Sequence, residues 1–180
     1  HYSLFPNYAA LFTQEAEYNE EIIADCEYAP KVRVWEDMFN MAPLSVGARL
    51  NEIAPTQSLV DAFLMLDGQT AEQSPLYDAN RPYANRDPRL TATVVYDGYR
   101  WSDNVDDGTK DKIIYINPDA LDKTDAFAGL NKNQTPTGYY VRKYYDAKHE
   151  QHMQSSINII TMRYADVLLM YAEAMNEQGK

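Results

Sequence analysis

Residues able to do chemistry are few and scattered along this chain. His149 and His152 stand at i and i+3 with Asp146 and Glu150 beside them, and on a helix that spacing turns two imidazoles toward one metal ion. The segment lacks the apolar period of a rigid helix and shows no third ligand, so exposed loop histidines are expected. Asp103, Asp106 and Asp107 precede Gly108 in the manner of a calcium loop, but Val105 holds the third ligand position and Ile114 the twelfth, so the EF-hand spacing fails. A looser oxygen-ligand site stays open there beside a solvated acidic loop. No metal and no cofactor is assigned. The 27 acidic residues always offer carboxylate pairs. Glycoside hydrolysis, however, needs two carboxylates about 5–9 Å apart across a cleft, which sequence spacing does not specify. A glycine-rich phosphate loop, a nucleophile elbow and an HExxH helix are all missing, so no catalytic residue is assigned.

Composition narrows the function further. The chain has 180 residues, 45% hydrophobic and 24% charged, enough for one globular domain with its own core. A net charge of -11 with 16 scattered basic residues argues against nucleic acid, which requires clustered cations. Cys26 is alone, so no internal disulfide forms, and a buried inert thiol is expected. No apolar run reaches the roughly 18 residues of a membrane-spanning helix, and the residues after His1 carry neither a signal peptide nor a lipidation motif. Tyrosine is over-represented, with 15 tyrosines and 2 tryptophans against 5 phenylalanines. Such rings join an apolar face to a polar tip and suit both core edges and ligand platforms.

The elements that must position these groups are short. A strand is expected over 22–28, a long ordered loop over 30–54, and a helix over 56–66 with Thr56 as N-cap and Asp67-Gly68 as its stop. The β-branched run 90–96 reads as a strand closed by Asp97-Gly98, followed by strands over 112–116 and 138–146. The β-branched run 157–162 leads into the most regular stretch of the chain. There Tyr164, Val167, Leu168, Tyr171, Ala172 and Met175 recur at helical spacing, Leu169, Met170 and Ala174 widen the face, and Gly179 ends it. The chain is thus α+β and loop-rich, with short strands and a C-terminal amphipathic helix. Charges set in apolar sequence require partners, so Arg86, Asp87 and Arg89, and separately Arg163, Asp166 and Glu173, are expected to form structural ion pairs.

Three motifs in order resemble the SusD/RagB family of outer-membrane nutrient-binding lipoproteins. They are Pro55-Thr56-Gln57-Ser58-Leu59-Val60-Asp61-Ala62-Phe63 running on to Asp67-Gly68, then Asn85-Arg86-Asp87-Pro88-Arg89-Leu90 running on to Tyr96-Asp97-Gly98, and Arg163-Tyr164-Ala165-Asp166-Val167-Leu168-Leu169-Met170-Tyr171-Ala172-Glu173-Ala174. The resemblance implies a mainly α scaffold of tetratricopeptide-like helical hairpins with a loop-rich region packed on it. On that pattern 1–155 is the loop-rich part, and 156–180 is a strand with the first helix of a hairpin. The resemblance also implies a non-catalytic binding protein on the cell outer membrane, anchored by an N-terminal lipid that this chain lacks. Its partners would be a SusC-like TonB-dependent β-barrel transporter and a glycan or, in some members, a peptide; a purely structural lid on the transporter is the alternative, and a glycoside hydrolase a more distant one.

The motifs carry scaffold and not ligand. Sugar rings stack their C–H faces on aromatic rings, and amides, acids and arginines bind the hydroxyls. Aromatics of the irregular segments are therefore the candidate platform: Trp35, Tyr77, Tyr83, Tyr99 and Trp101, with Asn80, Arg81 and Asp103 as polar partners. The ligand is expected among the loops between Pro30 and Asp107.

Overall fold

The computed structural model describes residues 1–102, 112–127, 133–149 and 151–179. Its elements are β1 (Ile22–Cys26), α1 (Met38–Met41), α2 (Gln57–Ala62), α3 (Pro88–Thr93), β2 (Val94–Val95), β3 (Tyr99–Trp101), β4 (Lys112–Ile114), β5 (Tyr140–Val141), β6 (Ile159–Arg163) and α4 (Tyr164–Glu177). The strands form three two-stranded antiparallel ladders, β1 with β6, β2 with β5 and β3 with β4. Single 3-10 turns at Ala10–Phe12, Gln14–Ala16, Leu44–Val46 and Gln151–Met153 punctuate the loops.

Trp35, Met38, Val95, Tyr99, Trp101, Ile114, Tyr140, Met153 and Ile157 make the main core, and Val60, Leu90, Val94 and Tyr139 a smaller one. The β2–β5 and β3–β4 ladders each contribute three buried side chains and the β1–β6 ladder only the partly buried Ile159, so the core is assembled from many short pieces rather than from one sheet face.

Several expected elements change in length or kind. The run 90–96 is not one strand: its first four residues are helical and only Val94–Val95 pairs. The Asp87 carboxylate accepts the Arg89 N–H at 2.9 Å and Pro88 occupies the first turn, so a capped helix start overrides β-branched content. Leu90 and Val94, one helical turn apart, then bury together. The helix expected over 56–66 stops at Ala62. Met65 bridges to Arg86, and the Leu66 N–H reaches the Asn85 carbonyl at 2.9 Å, which draws 63–66 into a turn around Gly68 at φ +80°. Of the strand expected over 138–146 only β5 remains, because Tyr144 adopts φ +64° and breaks the extension. The ordered loop 30–54 contains α1 and one 3-10 turn.

The ion-pair expectations divide likewise. Asp87 and Arg89 pair through Nε at 3.0 Å. Arg86 does not pair with an acid: at 8% exposure its Nη2 donates to the carbonyls of Val60 and Phe63, both at 2.7 Å, and its Nη1 to Pro82 O at 3.3 Å. Partial negative charge on carbonyls at and just beyond the end of α2 takes the place of an acid, with the Val60 carbonyl shared between Arg86 and the Phe63 N–H. Arg163 pairs not with its helix neighbours but with Glu21, at 2.9 Å. Asp166 accepts the Arg163 backbone N–H at 2.8 Å and so caps α4. Glu173 is exposed and has no ion-pair partner among the described residues.

Glu21 is 3% exposed and accepts the Phe5 N–H at 2.7 Å as well as Arg163, while its carbonyl takes the Tyr164 N–H at 2.8 Å. One carboxylate thereby ties the N-terminal segment, β1, β6 and the start of α4 together. We expect Glu21→Ala to cost the full-length protein about 3 kcal/mol in urea unfolding, the lower end for losing one member of a buried pair, because Arg163 keeps some contact with water. A loss below about 1 kcal/mol, the worth of an exposed pair, would remove Glu21 from this role.

Candidate functional site

The aromatics proposed as a platform are not brought together. Trp101 is 1% exposed, with its ring edge-to-face with Tyr145 at 4.6 Å and the Arg142 guanidinium 4.5 Å from its centre. Trp35 is buried, donates from Nε1 to the Ile157 carbonyl at 2.9 Å and meets Tyr144 edge-on. Tyr99 is buried between Tyr96 and Trp101 and donates its hydroxyl to Thr91 O at 3.0 Å, and burial raises its phenol pKa. These three rings have no free face in this fold and are core residues, a correction with a simple cause. In a chain of many short elements the largest rings carry the apolar burial that long helices would otherwise supply.

Tyr83 is half-buried. It stacks on Tyr96 at 4.0 Å and donates to the Tyr139 hydroxyl at 3.3 Å, which in turn donates to Gln57 Oε1 at 2.6 Å. Burial pushes its phenol pKa strongly upward. Tyr77, by contrast, is 41% exposed on the segment 64–87. Asp67 accepts Ser74 Oγ at 2.6 Å, Asp78 accepts the Asn80 N–H at 2.9 Å and Arg81 Nε at 3.0 Å, and Asn85 Nδ2 donates to Leu76 O at 3.2 Å. Tyr77, Asn80 and Arg81 therefore ride on one loop that is stapled internally and anchored at its base by Arg86. Asp103 lies outside the described residues, as do Val105, Asp106, Asp107 and Gly108 of the acidic loop, and Glu150. His149 packs edge-on to Tyr145, and His152 is exposed at φ +62°. No group of three or more potential metal ligands occurs among the described residues.

A hollow of about 650 Å³ lies elsewhere, lined by Leu44, Ala48 and Arg49 on one side and by Lys123, Thr124, Asn133 and Gln134 on the other. Gly47 at φ +116° turns the first wall out of its 3-10 turn, a conformation that side chains rarely adopt. Asp125, 3% exposed, accepts the Ser45 N–H at 2.9 Å, and Lys112 Nζ donates to the Ser45 carbonyl at 3.2 Å. Gln134, 8% exposed, donates from Nε2 to the carbonyls of Lys123 and Thr124 and so braces the second wall from behind. Sequence reasoning missed these residues. They come from two loops about 80 positions apart with no shared period, and the backbone-to-carboxylate bond from Ser45 to Asp125 that joins them has no sequence signature.

The SusD family model matches residues 35–180. The chain belongs to that family. Two solved structures from Bacteroides fragilis resemble it across 99% of its length: a SusD-like carbohydrate binding protein at 22% identity and TM-score 0.81, and a SusD-like protein at 28% identity and TM-score 0.72. The chain spans about a third of their length, 34% and 38% respectively, so its fold is one part of the SusD fold. No curated protein matches it.

Two stability outcomes follow from this placement. Trp101→Ala should destabilise the full-length protein by about 3–5 kcal/mol, as for other large buried rings, whereas Tyr77→Ala should stay within about 0.5 kcal/mol; similar losses for both in chemical denaturation would contradict the burial assignments. Burial raises the carboxyl pKa of Asp125, against the opposing pull of the Ser45 hydrogen bond and the Lys112 charge. The native state then holds that proton more tightly than the unfolded chain. Its contribution is fully present below the ordinary aspartate range, near pH 4, and is lost as pH rises through the raised value. Asp125→Asn, which keeps the acceptor for Ser45, should flatten that decline and raise Tm at pH 7 relative to wild type, with the gain shrinking toward pH 4.

Proposed function

We propose that the protein to which this chain belongs binds oligosaccharide at the cell surface, without cleaving it, for import through a SusC-like TonB-dependent transporter in the outer membrane. Membership of the SusD family carries this reading. The likeness to a SusD-like carbohydrate binding protein adds the ligand class. Capture without bond cleavage requires a shaped, rigid surface and no activated nucleophile, and the stapled loop with Tyr77, Asn80 and Arg81 suits that task. Among the earlier candidates we retain these three, with Tyr83 beneath them and Asp103 beyond the described residues.

The same reading supplies a place for α4. No residue of this helix is buried within the chain, and Leu169 and Tyr171 are 69% and 64% exposed. An apolar face of that kind fits the first helix of a tetratricopeptide-like hairpin, with 156–180 as its strand and helix and 1–155 as the loop-rich region. Attachment by an N-terminal lipid, which the family resemblance implies, belongs to this reading too.

Calorimetry on the full-length protein with a panel of neutral oligosaccharides tests the proposal. We expect binding that persists in EDTA and in moderate salt and releases no reducing ends. Tyr77→Ala should weaken it about three- to tenfold, the worth of one ring contact. Co-purification with a β-barrel transporter but no affinity for any glycan or peptide would replace this reading with that of a structural lid.

A further inference from the structure

The hollow lined by Leu44, Ala48, Arg49, Lys123 and Thr124 differs from the rest of the molecule in charge. The chain carries -11 overall, yet the described lining holds two cations, Arg49 and Lys123, and no carboxylate. Neither cation has an ion-pair partner among the described residues. Asp125 accepts the Ser45 N–H and Asp122 the Thr124 N–H at 3.0 Å, each through one carboxylate oxygen, and neither lines the hollow. The lining has no aromatic ring among the described residues, so a sugar face has nothing to stack on there. What it presents is a guanidinium and an ammonium. Its volume suits a ligand of one or two sugar rings.

Resting on the glycan reading above, we infer that this hollow is a subsite for the anionic group of an acidic sugar, a carboxylate or a sulfate ester. A planar guanidinium meets either oxyanion with two parallel hydrogen bonds, and a lysine adds a second charge. The surrounding acidic surface sets a limit on the ligand. A densely charged polymer is repelled as a whole, whereas a mostly neutral glycan with an occasional acid is accepted at this one place.

The test uses the full-length protein and calorimetry with matched disaccharides: the glucuronate, galacturonate and mannuronate forms, the methyl ester of each, and a 6-sulfated galactose disaccharide beside its unsulfated form. At least one acid should bind about tenfold more tightly than its neutral counterpart. The uronate and sulfate arms identify which oxyanion is taken. Rising salt should narrow that preference without weakening neutral sugars. Arg49→Gln with Lys123→Gln should erase it and leave neutral-sugar affinity and Tm unchanged. Neutral binding with no acid preference in any pair overturns the subsite and leaves the glycan reading standing. A preference that survives the double substitution also overturns the subsite, as does a fall in Tm with affinity unaltered, which would assign both cations to a structural partner elsewhere in the full-length protein. Absence of all carbohydrate binding overturns the two together.

Discussion

The antiparallel pairing of β1 with β6 is the constraint on which the rest of this structure depends. It joins Ile22 to Arg163 and makes everything between them one long excursion closed at its base. Closing so large a loop costs only slightly more entropy than closing one half as long, about 0.6 kcal/mol per doubling, so length itself is affordable. What the closure requires is specificity, because a two-stranded ladder alone is marginal. Side chains supply it. Glu21 holds Arg163, Asn158 donates to Asp25 and accepts the Tyr28 N–H, Gln14 reaches Ser156, and Trp35 grips the Ile157 carbonyl. Each of these bonds crosses more than 100 residues of sequence, and together they fix the register that the irregular strands leave loose.

Inside the excursion, turns do the work that long elements do elsewhere. Asp67, Asp78, Asp87, Asn117, Asp122 and Asp146 each accept the backbone N–H two residues onward. Much of the acidity that composition presents as a solubility trait thus has a local structural use. Charge follows from it: the Asp78 carboxyl pKa lies below the ordinary aspartate range, chiefly through the Asn80 N–H and then through Arg81. Arg86 performs the complementary task for acceptors, collecting the carbonyls of 63 and 82 and sharing that of 60 with the C-cap of α2.

Legibility in the sequence tracks how local the deciding interaction is. The helix α4 and the strand before it stand out because their period and their boundary are written in consecutive residues, and Thr56 announces a cap for the same reason. Leu90 to Thr93 misleads because β-branched content is a weak preference, whereas an Asp-Pro start fixes the first helical turn outright. The role of Arg86 was not readable, since its partners are carbonyls and every residue has one. Trp35 and Trp101 looked like platform residues because irregular sequence surrounds them; their burial is set by the assembled core, to which β3, β4, β5 and the 153–157 segment all contribute. The hollow of Arg49 and Lys123 is the least local feature and was the least visible.

Electrostatics then separates two jobs that composition merges. A surface bearing many turn-forming carboxylates repels polyanions over roughly the screening length of about 8 Å in physiological salt. At closer range the field is weighted toward whichever groups line the contact. Asp125 and Asp122 each direct one oxygen to a backbone N–H of the hollow's own walls, and neither lines the hollow itself. Loops held by such bonds can exchange the side chains that face outward while the bonds facing inward persist. That arrangement allows a loop-rich region on a fixed clamp to change what it binds without changing how it folds, because specificity and stability are carried by different atoms of the same segments.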